Sequence, residues 1–580
     1  MTSDSTWRAK AEAKRLAILS AIPKKWRFLN PIPPPTEQVD VTGDYIRQFL
    51  NQQEIEITES DAVDIVAQTT SGIWTAVEVT EAFCHRAALA HQLVNCLHEV
   101  FFDAAIADAK KLDAYFAEYK KPVGPLHGLP VSLKDQFHVK GVETTMGYVG
   151  WIDTFEGQKD DPRRGVEESE LVRELRNIGA VLYCKTSVPA TLMCGETINN
   201  IIDYTWNPKN RYLSSGGSSG GEGALIALRG SPGGFGTDIG GSIRIPAAFN
   251  NLYGLRPSSG RLPYQGVANS MDGQNTIFSV VGPLASTARG LTLLFQSALS
   301  QKPWLHDPLA LELPWRDSMV QETLSLVEES KKGSSTLSFA IMTFDGAGRI
   351  HPPIARGLKI VKETLQKLGH NVIDWTPPSH ATALTLAAKA YTMDGGTDAN
   401  HHFGLSGEIK PPQVIVGGPA SAPEMLGSQI AALNVSKREY QKEYMDYWNS
   451  TAALTGTGRP VDGVICPNAP HAAVKPAEYN YIGYSAFVNV LDYPSISIPV
   501  TFADKTVDVL PSDVSMDEAE PYIEWDYDAD TYHGAPVGVQ FFGRRLQEEK
   551  VLTLAEYIGE EVARHVGCKE YQSGSALERT

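Results

Sequence analysis

The sequence contains few cysteines, and none of the six lies in a metal-binding or redox motif. It has no CxxC pair and no cluster of cysteines with histidines, which argues against a zinc site or a disulfide-exchange centre. Scattered cysteines of this kind are typical of reduced, intracellular proteins. The six are Cys84, Cys96, Cys184, Cys194, Cys466 and Cys568.

Long apolar runs are also missing. No stretch approaches the ~18–20 apolar residues that a membrane span requires. Residues 1–28 alternate charges with short apolar pieces such as residues 16–19, whereas a secretory signal needs an uninterrupted apolar core and a small-residue cleavage site. We therefore expect a soluble, cytoplasmic protein with no membrane span.

Positive charge is scarce relative to negative charge. The formal net charge is −17, which argues against a nucleic-acid binder because phosphate contacts need clustered Lys and Arg. Hydrophobic residues make up 42% of the chain and charged residues 21%, close to ordinary globular usage. A length of 580 residues is within reach of one large enzyme core.

The pattern along the chain predicts an α/β fold. Residues 1–60 resemble a helical lead-in, broken at residues 31–35 (PIPPP), where proline cannot sustain a helix. From residue 61 to residue 580 we expect one domain with a large mixed, mostly parallel β-sheet covered by helices on both faces. The predicted strands are residues 128–134, 180–183, 337–344, 372–375, 497–501 and 537–542, and the predicted helices are residues 80–120, 169–177, 354–368 and 424–447.

An acidic segment at residues 504–530 interrupts this pattern. It contains the runs DEAE at 517–520 and EWDYD at 524–528. We interpret it as a solvated insertion between two strands rather than a metal or partner site.

Two glycine-rich motifs carry the strongest indication of chemistry: GGSSGGEGA at residues 216–224 and GTDIGGSIRIP at residues 236–246. Glycines at this density let the backbone approach a ligand and expose N–H groups to an anion. A phosphate loop would need GxxxxGK[ST], and no Lys follows these glycines. A structural turn explains the glycines but not the serines among them. A hydrolase, in which a serine lies beside N–H donors for an oxyanion, explains both.

A serine nucleophile needs a base. No histidine lies within either motif, although any of the fourteen could be brought there by folding. A buried lysine that loses its charge near neutral pH is the other choice. Lys134, at the end of the apolar strand GLPVSLK, is the candidate, and an ordinary surface pair between Lys134 and Asp135 is the alternative.

These motifs resemble those of the amidase signature family, and in particular the fungal acetamidase-type enzymes. The two glycine-rich motifs are close matches to the family signature. GLPVSLKD at 128–135, KTSVP at 185–189, NVLDYP at 489–494 and PVGVQ at 536–540 are similar to further shared segments. Together they span most of the chain from about residue 60 to residue 560, in the family's order.

The resemblance implies an amidase that hydrolyses the C–N bond of carboxylic amides through an acyl-serine. It implies that Ser242 is the nucleophile, that Ser218 is a bridging serine after a cis peptide bond with Gly217, and that Lys134 is the base. The backbone N–H groups of Ile239, Gly240, Gly241 and Ser242 itself would stabilise the oxyanion. No metal or organic cofactor is implied.

Supporting roles are expected for residues near this triad. Asp238 and Arg244 flank Ser242 and would brace its loop, and Ser219 would form a hydrogen bond near Lys134. Leu192 resembles a pocket-wall residue in fatty acid amide hydrolase, with a core role as the alternative. We interpret Cys194 as a packing residue. Residues 390–450, including His401 and His402, are expected to shape the pocket.

Two other functions stay open at this point. One is a subunit like the amidase-type component of a tRNA-dependent amidotransferase, which works with a partner, and the other is a non-catalytic binding protein of the same fold. The expected partner is a small-molecule amide. The sequence does not decide whether that amide is aliphatic, aromatic or fatty. It also leaves open whether the chain forms a homodimer.

Overall fold

The computed structural model describes residues 3–417, 423–510 and 527–567. Thirteen strands lie in these ranges, eleven of them in one sheet. The strands are β1 Leu97–Val100, β2 Pro130–Lys134, β3 Val181–Thr186, β4 Ile198–Asn199, β5 Asp203–Tyr204, β6 Gly233–Asp238, β7 Tyr253–Arg256, β8 Val280–Ala285, β9 Ser338–Ile341, β10 Asn371–Asp374, β11 Gly463–Pro467, β12 Ser495–Phe502 and β13 Pro536–Phe542.

Eighteen α-helices accompany them in the described residues. They are α1 Ser3–Ala21, α2 Asp44–Arg47, α3 Gln52–Glu59, α4 Ala62–Ser71, α5 Ala76–Val94, α6 Phe102–Tyr119, α7 Glu170–Asn177, α8 Gly220–Ala227, α9 Arg244–Phe249, α10 Ala288–Leu299, α11 Asp317–Lys331, α12 Pro352–Lys367, α13 His380–Tyr391, α14 Thr397–Ser406, α15 Gly427–Ser450, α16 Gly483–Leu491, α17 Ala529–Tyr532 and α18 Glu548–Val566. None of the helices in this part of the chain is long and apolar enough to cross a membrane.

The large sheet has the strand order β1-β3-β2-β6-β8-β7-β12-β13-β11-β9-β10. Strands β2, β3, β6, β7, β8, β11 and β13 bury every residue, as expected where helices cover both faces. The predicted large mixed sheet between helices is therefore confirmed.

The expected excess of parallel pairs needs correction. Parallel contacts join β2 to β3, β2 to β6, β9 to β10 and β9 to β11, and the other contacts in the sheet are antiparallel. The reason is that β7 and β8, and likewise β12 and β13, are consecutive in the chain and adjacent in the sheet. A direct reversal of the chain between adjacent strands gives an antiparallel pair.

The prediction of one helix over residues 80–120 is also corrected, because the chain forms α5, the short strand β1 and then α6. Helix α5 ends at Asn95, which adopts a left-handed conformation with φ of 57°. Strand β1 then pairs with β3 and forms one edge of the sheet. The composition of this segment is helical throughout, so only the left-handed Asn95 marks the break.

The N-terminal lead-in packs on the main body. Three α1 side chains, Trp7, Ala11 and Ile18, form an apolar cluster with Val149, Ile152, Ile201 and Ile202. Lys14 on the same helix forms partly buried ion pairs with Glu99 and Glu143. Of the predicted acidic insertion, residues 511–526 lie outside the described residues, and its flanking strands are β12 and β13.

Candidate active site

Two neighbouring parallel strands bring the two predicted catalytic segments to one edge of the sheet. Strand β2 ends at Lys134 and β6 ends at Asp238, with Leu133 in register with Phe235. Because the carboxyl ends of parallel strands meet at the same edge, Lys134 reaches the second glycine-rich motif. Its Nζ donates to Thr237 Oγ1 at 2.7 Å.

Ser218 lies two residues before helix α8, within reach of the same Lys134 amine. Lys134 Nζ donates to Ser218 Oγ at 2.8 Å. The peptide bond between Gly217 and Ser218 is cis, as the resemblance implied. A Cβ at position 217 would come within 2.6 Å of the Cys194 carbonyl oxygen, so the backbone approaches too closely for any residue except glycine.

Lys134 is buried completely and forms no ion pair within the described residues. Burial lowers the pKa of its amine to about 7, against the opposing effect of the Asp238 and Glu222 carboxylates. A lysine with this pKa has a substantial neutral fraction at neutral pH. Lys134 can therefore act as an acceptor for a proton.

Asp135 does not pair with Lys134, so the alternative of a surface ion pair is wrong. The Asp135 carboxylate lies 2.7 Å from Lys185 Nζ, and both side chains are fully buried. It also accepts hydrogen bonds from the backbone N–H groups of Thr145 and Met146. Consecutive residues at a strand end point in different directions, so Asp135 faces this second cluster rather than the Lys134 amine.

The turn after β6 carries Ser242 and the predicted oxyanion donors. The N–H groups of Gly240 and Ser242 donate to no protein acceptor within the described residues. The N–H of Gly241, by contrast, donates to Asp238 Oδ1 at 2.8 Å. Gly241 has a φ of 123°, a conformation open to glycine, and this turns the chain into α9.

The predicted bracing of this turn by Asp238 and Arg244 is present as a buried network. Arg244 donates from Nε and Nη2 to the two Asp238 oxygens at 3.1 and 3.0 Å. Arg244 also donates to Gln540, and Asn489 donates to Asp238. Burial alone would raise the pKa of Asp238, but the Arg244 charge and these hydrogen bonds hold it well below its usual range.

Two hydroxyls from distant helices fix the carbonyl groups of the turn. Tyr391 Oη donates to the Ile239 carbonyl at 2.6 Å, and Ser485 Oγ donates to the Gly240 carbonyl at 2.6 Å. The Ile239 carbonyl and the Gly240 N–H belong to one planar peptide unit, so they point in opposite directions. Tyr391 therefore fixes the direction of the Gly240 N–H.

Ser242 lies between two chambers. The smaller has a volume of about 30 Å³, room for about two waters, and the larger about 240 Å³. Ser242, Ile239, Leu192, Met193 and Tyr391 line both chambers. Only the smaller is also lined by Ser218, Thr237, Asn269, Ser270, Met271, Gln274, Ser279, Asp394, Gly396, Asp398, Ala399 and Val416. Only the larger is lined by Cys194, Gly195, Gly217, Gly240, Ile245, Leu384, Ile415, Tyr479, Asn480, Tyr481 and Ile482.

Comparison with known proteins identifies the family. The family model described as Amidase matches residues 78–552. The chain is 47% identical over 556 residues to an acetamidase of Aspergillus oryzae, covering 96% of this chain and 98% of the relative. It is 44% identical to an acetamidase of Emericella nidulans, again covering 96% and 98%. The chain belongs to the amidase family.

Solved structures agree with this assignment. A structure of fatty acid amide hydrolase superposes with a TM-score of 0.84 and 32% identity over 96% of each chain. A 6-aminohexanoate cyclic dimer hydrolase shares the fold, with a TM-score of 0.66 at 20% identity over 88% of this chain and 98% of that one. This amidase hydrolyses the C–N bond of carboxylic amides other than peptide bonds.

Most of the sequence-predicted residues meet at this site. Leu192 lines both chambers of the amidase, and Ser219 Oγ lies 3.4 Å from the backbone N–H of Thr237. Cys194 lines the larger chamber, and burial raises the pKa of its thiol to about 12, so it is uncharged there. From residues 390–450, the segments around Tyr391 and Ile415 line the chambers, whereas His401, His402 and helix α15 do not.

Several functional contacts of this amidase were missed in the sequence. Thr237 lies inside a recognised motif, but nothing in its spacing showed that it would contact Lys134. Gln136 follows the β2 motif and accepts a hydrogen bond from Thr237 Oγ1 at 2.7 Å. Tyr391 lies about 150 residues from the turn it supports, so no local pattern could have found it.

Proposed function

We propose that this amidase acts through a Ser242–Ser218–Lys134 triad. The observation that carries the proposal is the 2.8 Å contact between Lys134 Nζ and Ser218 Oγ. The lysine is buried and has no ion-pair partner in the described part of the chain. Ser218 and Ser242 both line the smaller chamber, which supports a relay between the two hydroxyls. The arrangement supplies a nucleophile, a relay and a base.

In the proposed reaction neutral Lys134 takes the Ser218 proton while Ser218 takes the Ser242 proton. Ser242 Oγ then attacks the amide carbonyl carbon. The N–H groups of Ile239, Gly240 and Ser242 stabilise the resulting oxyanion, since the Gly241 N–H is already held by Asp238. Ser218 protonates the leaving nitrogen and regains a proton from Lys134, and the C–N bond breaks. Water then attacks the acyl-Ser242 and passes its proton through Ser218 to Lys134. The same path returns a proton to Ser242 as the acid leaves.

We propose that the leaving amine occupies the smaller chamber and the acyl group the larger one. Ser218, the proton donor to the leaving nitrogen, lines the smaller chamber only. Leu384 and Ile482 give the larger chamber apolar walls, which suit an acyl chain. A volume of about 30 Å³ accommodates ammonia but not a bulky amine. The substrates are then short primary amides, in keeping with two relatives named acetamidase.

Ammonia release from acetamide, propionamide, butyramide and benzamide tests this proposal, with Ser242→Ala as the inactive comparison. We expect turnover by the wild type, loss in Ser242→Ala, and covalent labelling of Ser242 by a fluorophosphonate. Labelling without turnover of any amide would leave the triad standing and overturn the choice of substrate. Turnover that persists in Ser242→Ala would overturn the triad.

We also propose a cytoplasmic location. Five cysteines in the described part of the chain are free and buried, which suits a reducing compartment. Fluorescence microscopy of the tagged chain, compared with a soluble cytoplasmic marker, tests this. Segregation of the tagged chain into an organelle would contradict it.

A further inference from the structure

Glu222 is a buried carboxylate on the side of the sheet where Lys134 lies. It is the third residue of α8, the helix that begins two residues after Ser218, and its side chain is fully buried. The proposed reaction gives it no role, because it lines neither chamber. A buried carboxyl group beside a catalytic lysine calls for an explanation, since burying a charge is costly.

Both hydrogen-bond donors to Glu222 are neighbours of Lys134. Ser132 Oγ donates to Glu222 Oε2 at 2.6 Å, and Thr186 Oγ1 donates to Oε1 at 2.8 Å. Ser132 precedes Lys134 by two residues on β2, and Thr186 is the register partner of Lys134 on β3. Alternate residues of a strand and register partners share one face of a sheet. The carboxylate is thus held between two residues that flank Lys134 on its own face.

The adjacent strand β6 leaves room for this carboxylate. Gly234 is the register partner of Ser132. A Cβ at position 234 would lie 2.2 Å from Glu222 Oε2 and 2.3 Å from Ser132 Oγ. Any larger residue would displace the carboxylate from its two donors. Three strands and helix α8 therefore form a fitted site for Glu222 next to the base.

We propose that Glu222 is a positioning residue whose negative charge sets the pH range in which Lys134 is a neutral base. The inference rests on the proposed role of Lys134. Glu222 acts through Lys134 and not on the substrate.

The charges around the pair fix the direction of the effect. Burial lowers the pKa of Lys134, and the two carboxylates that oppose this are Asp238 and Glu222. Burial raises the pKa of Glu222 to about 7, opposed by the hydrogen bonds from Ser132 and Thr186 and by the Lys134 charge. The other titratable groups that face Glu222 are neutral near pH 7, because burial raises the pKa of each: Cys96, Cys184 and Tyr183.

Glu222 and Lys134 therefore titrate as a pair near neutral pH. Every ionised Glu222 opposes the loss of a proton from Lys134. Removal of that negative charge should let Lys134 become neutral at lower pH, because Glu222 is partly ionised in the pH range where Lys134 titrates.

The test is the pH dependence of kcat/KM for acetamide in Glu222→Gln, which keeps the size of the side chain. We expect the midpoint of the acidic limb to fall by about 0.5 to 1 pH unit relative to the wild type. Glu222→Asp keeps the charge and should keep the wild-type midpoint. The matched control is Glu174→Gln on α7. It replaces another fully buried carboxyl group, one that does not affect the pKa of Lys134, and should also leave the midpoint unchanged.

A folded Glu222→Gln variant with reduced kcat but an unshifted midpoint would overturn the proposal and leave Glu222 a structural role. If thermal unfolding shows that Glu222→Gln does not fold, Thr186→Val serves instead. It removes a hydrogen bond that lowers the pKa of Glu222. The carboxylate then ionises at higher pH, and the acidic limb should shift the same way by a smaller amount. Failure of the triad itself would look different: turnover would persist in Ser242→Ala.

Discussion

The Lys185 ammonium lies 2.7 Å from the Asp135 carboxylate, and both side chains are fully buried. Asp135 directly follows Lys134, the proposed base. Lys185 also donates to the Glu143 carbonyl and to Thr144 Oγ1. Lys185 pairs with the one carboxylate that adjoins Lys134 in sequence, which leaves Lys134 without that partner. The amidase thus has two buried lysines at the ends of adjacent strands, one paired and one left to titrate.

Replacement of Lys185 should therefore destabilise the protein strongly. Lys185→Met leaves Asp135 buried without its cation, and we expect the free energy of unfolding to fall by about 3–5 kcal/mol. Urea denaturation at pH 7 measures this. The control is Lys442→Met, which breaks an exposed pair with Asp446 and should cost less than about 1 kcal/mol. Equal effects of the two variants would show that burial does not strengthen the Lys185 pair.

Lys134→Met should abolish activity while it stabilises the fold. Loss of a general base lowers kcat by about 10²–10⁴-fold. The pKa of Lys134 falls from 10.5 to about 7 in the folded state, so burying the amine costs stability. That cost is full below pH 7 and disappears as the pH rises from about 7 to 10.5, since only the unfolded chain is protonated in that window.

The gain in unfolding free energy in Lys134→Met should accordingly be largest near pH 6, up to about 4 kcal/mol, and small at pH 10. Denaturation curves of both proteins at pH 6, 8 and 10 provide the measurement. A gain that does not depend on pH would contradict a depressed pKa. The kcat/KM of the wild type should rise with pH through about 7, because Lys134 must be neutral to accept the Ser218 proton.

Contiguous motifs predicted the local backbone of the site better than the remote residues that support it. The cis bond after Gly217 lies in such a motif, and so do Ser218 and Ser242, whose catalytic roles stay predictions. Tyr391 and Ser485 lie on helices far in sequence from the turn after β6, and their hydroxyls contact its backbone carbonyls. No sequence motif or fixed spacing therefore indicates these contacts.

The sheet shows the same limit. Hydrophobic runs mark where its strands lie, and predicted strands such as those at residues 337–344 and 537–542 were found at β9 and β13. Whether two strands pair parallel or antiparallel depends on which strands become neighbours in the sheet. Packing of the whole chain determines those neighbours, so the local pattern overestimated the share of parallel pairs.

Tyr391→Phe should lower kcat and leave KM almost unchanged. The hydroxyl fixes the peptide whose N–H belongs to Gly240. In the proposed reaction that N–H contacts the oxyanion only as the tetrahedral species forms. We expect kcat to fall by about 10-fold, less than the ~10²–10³-fold cost of deleting a donor outright. Steady-state kinetics with acetamide measures both constants.

The control for Tyr391 is Tyr440→Phe, because Tyr440 is another buried tyrosine and its hydroxyl has no hydrogen-bond partner in the described structure. It should leave kcat unchanged. A rise in KM with constant kcat in Tyr391→Phe would instead assign the hydroxyl to substrate binding in the ground state.

Enlarging the larger chamber should change the acyl preference of the enzyme. Leu384 on α13 lines this chamber and not the smaller one. Leu384→Ala adds apolar volume where the acyl group is proposed to lie. The ratio of kcat/KM for hexanamide to that for acetamide should therefore rise about 10-fold. This is less than the full burial of the extra methylenes would give, because the enlarged chamber packs them imperfectly. Leu386 on the same helix lines neither chamber, so Leu386→Ala should keep the wild-type ratio.

N-butylacetamide carries its bulk on the nitrogen. Because the smaller chamber is unchanged, both variants should hydrolyse it as poorly as the wild type. If Leu384→Ala improved N-butylacetamide and not hexanamide, the acyl and amine chambers would have to be exchanged, and with them the side from which Ser218 delivers its proton.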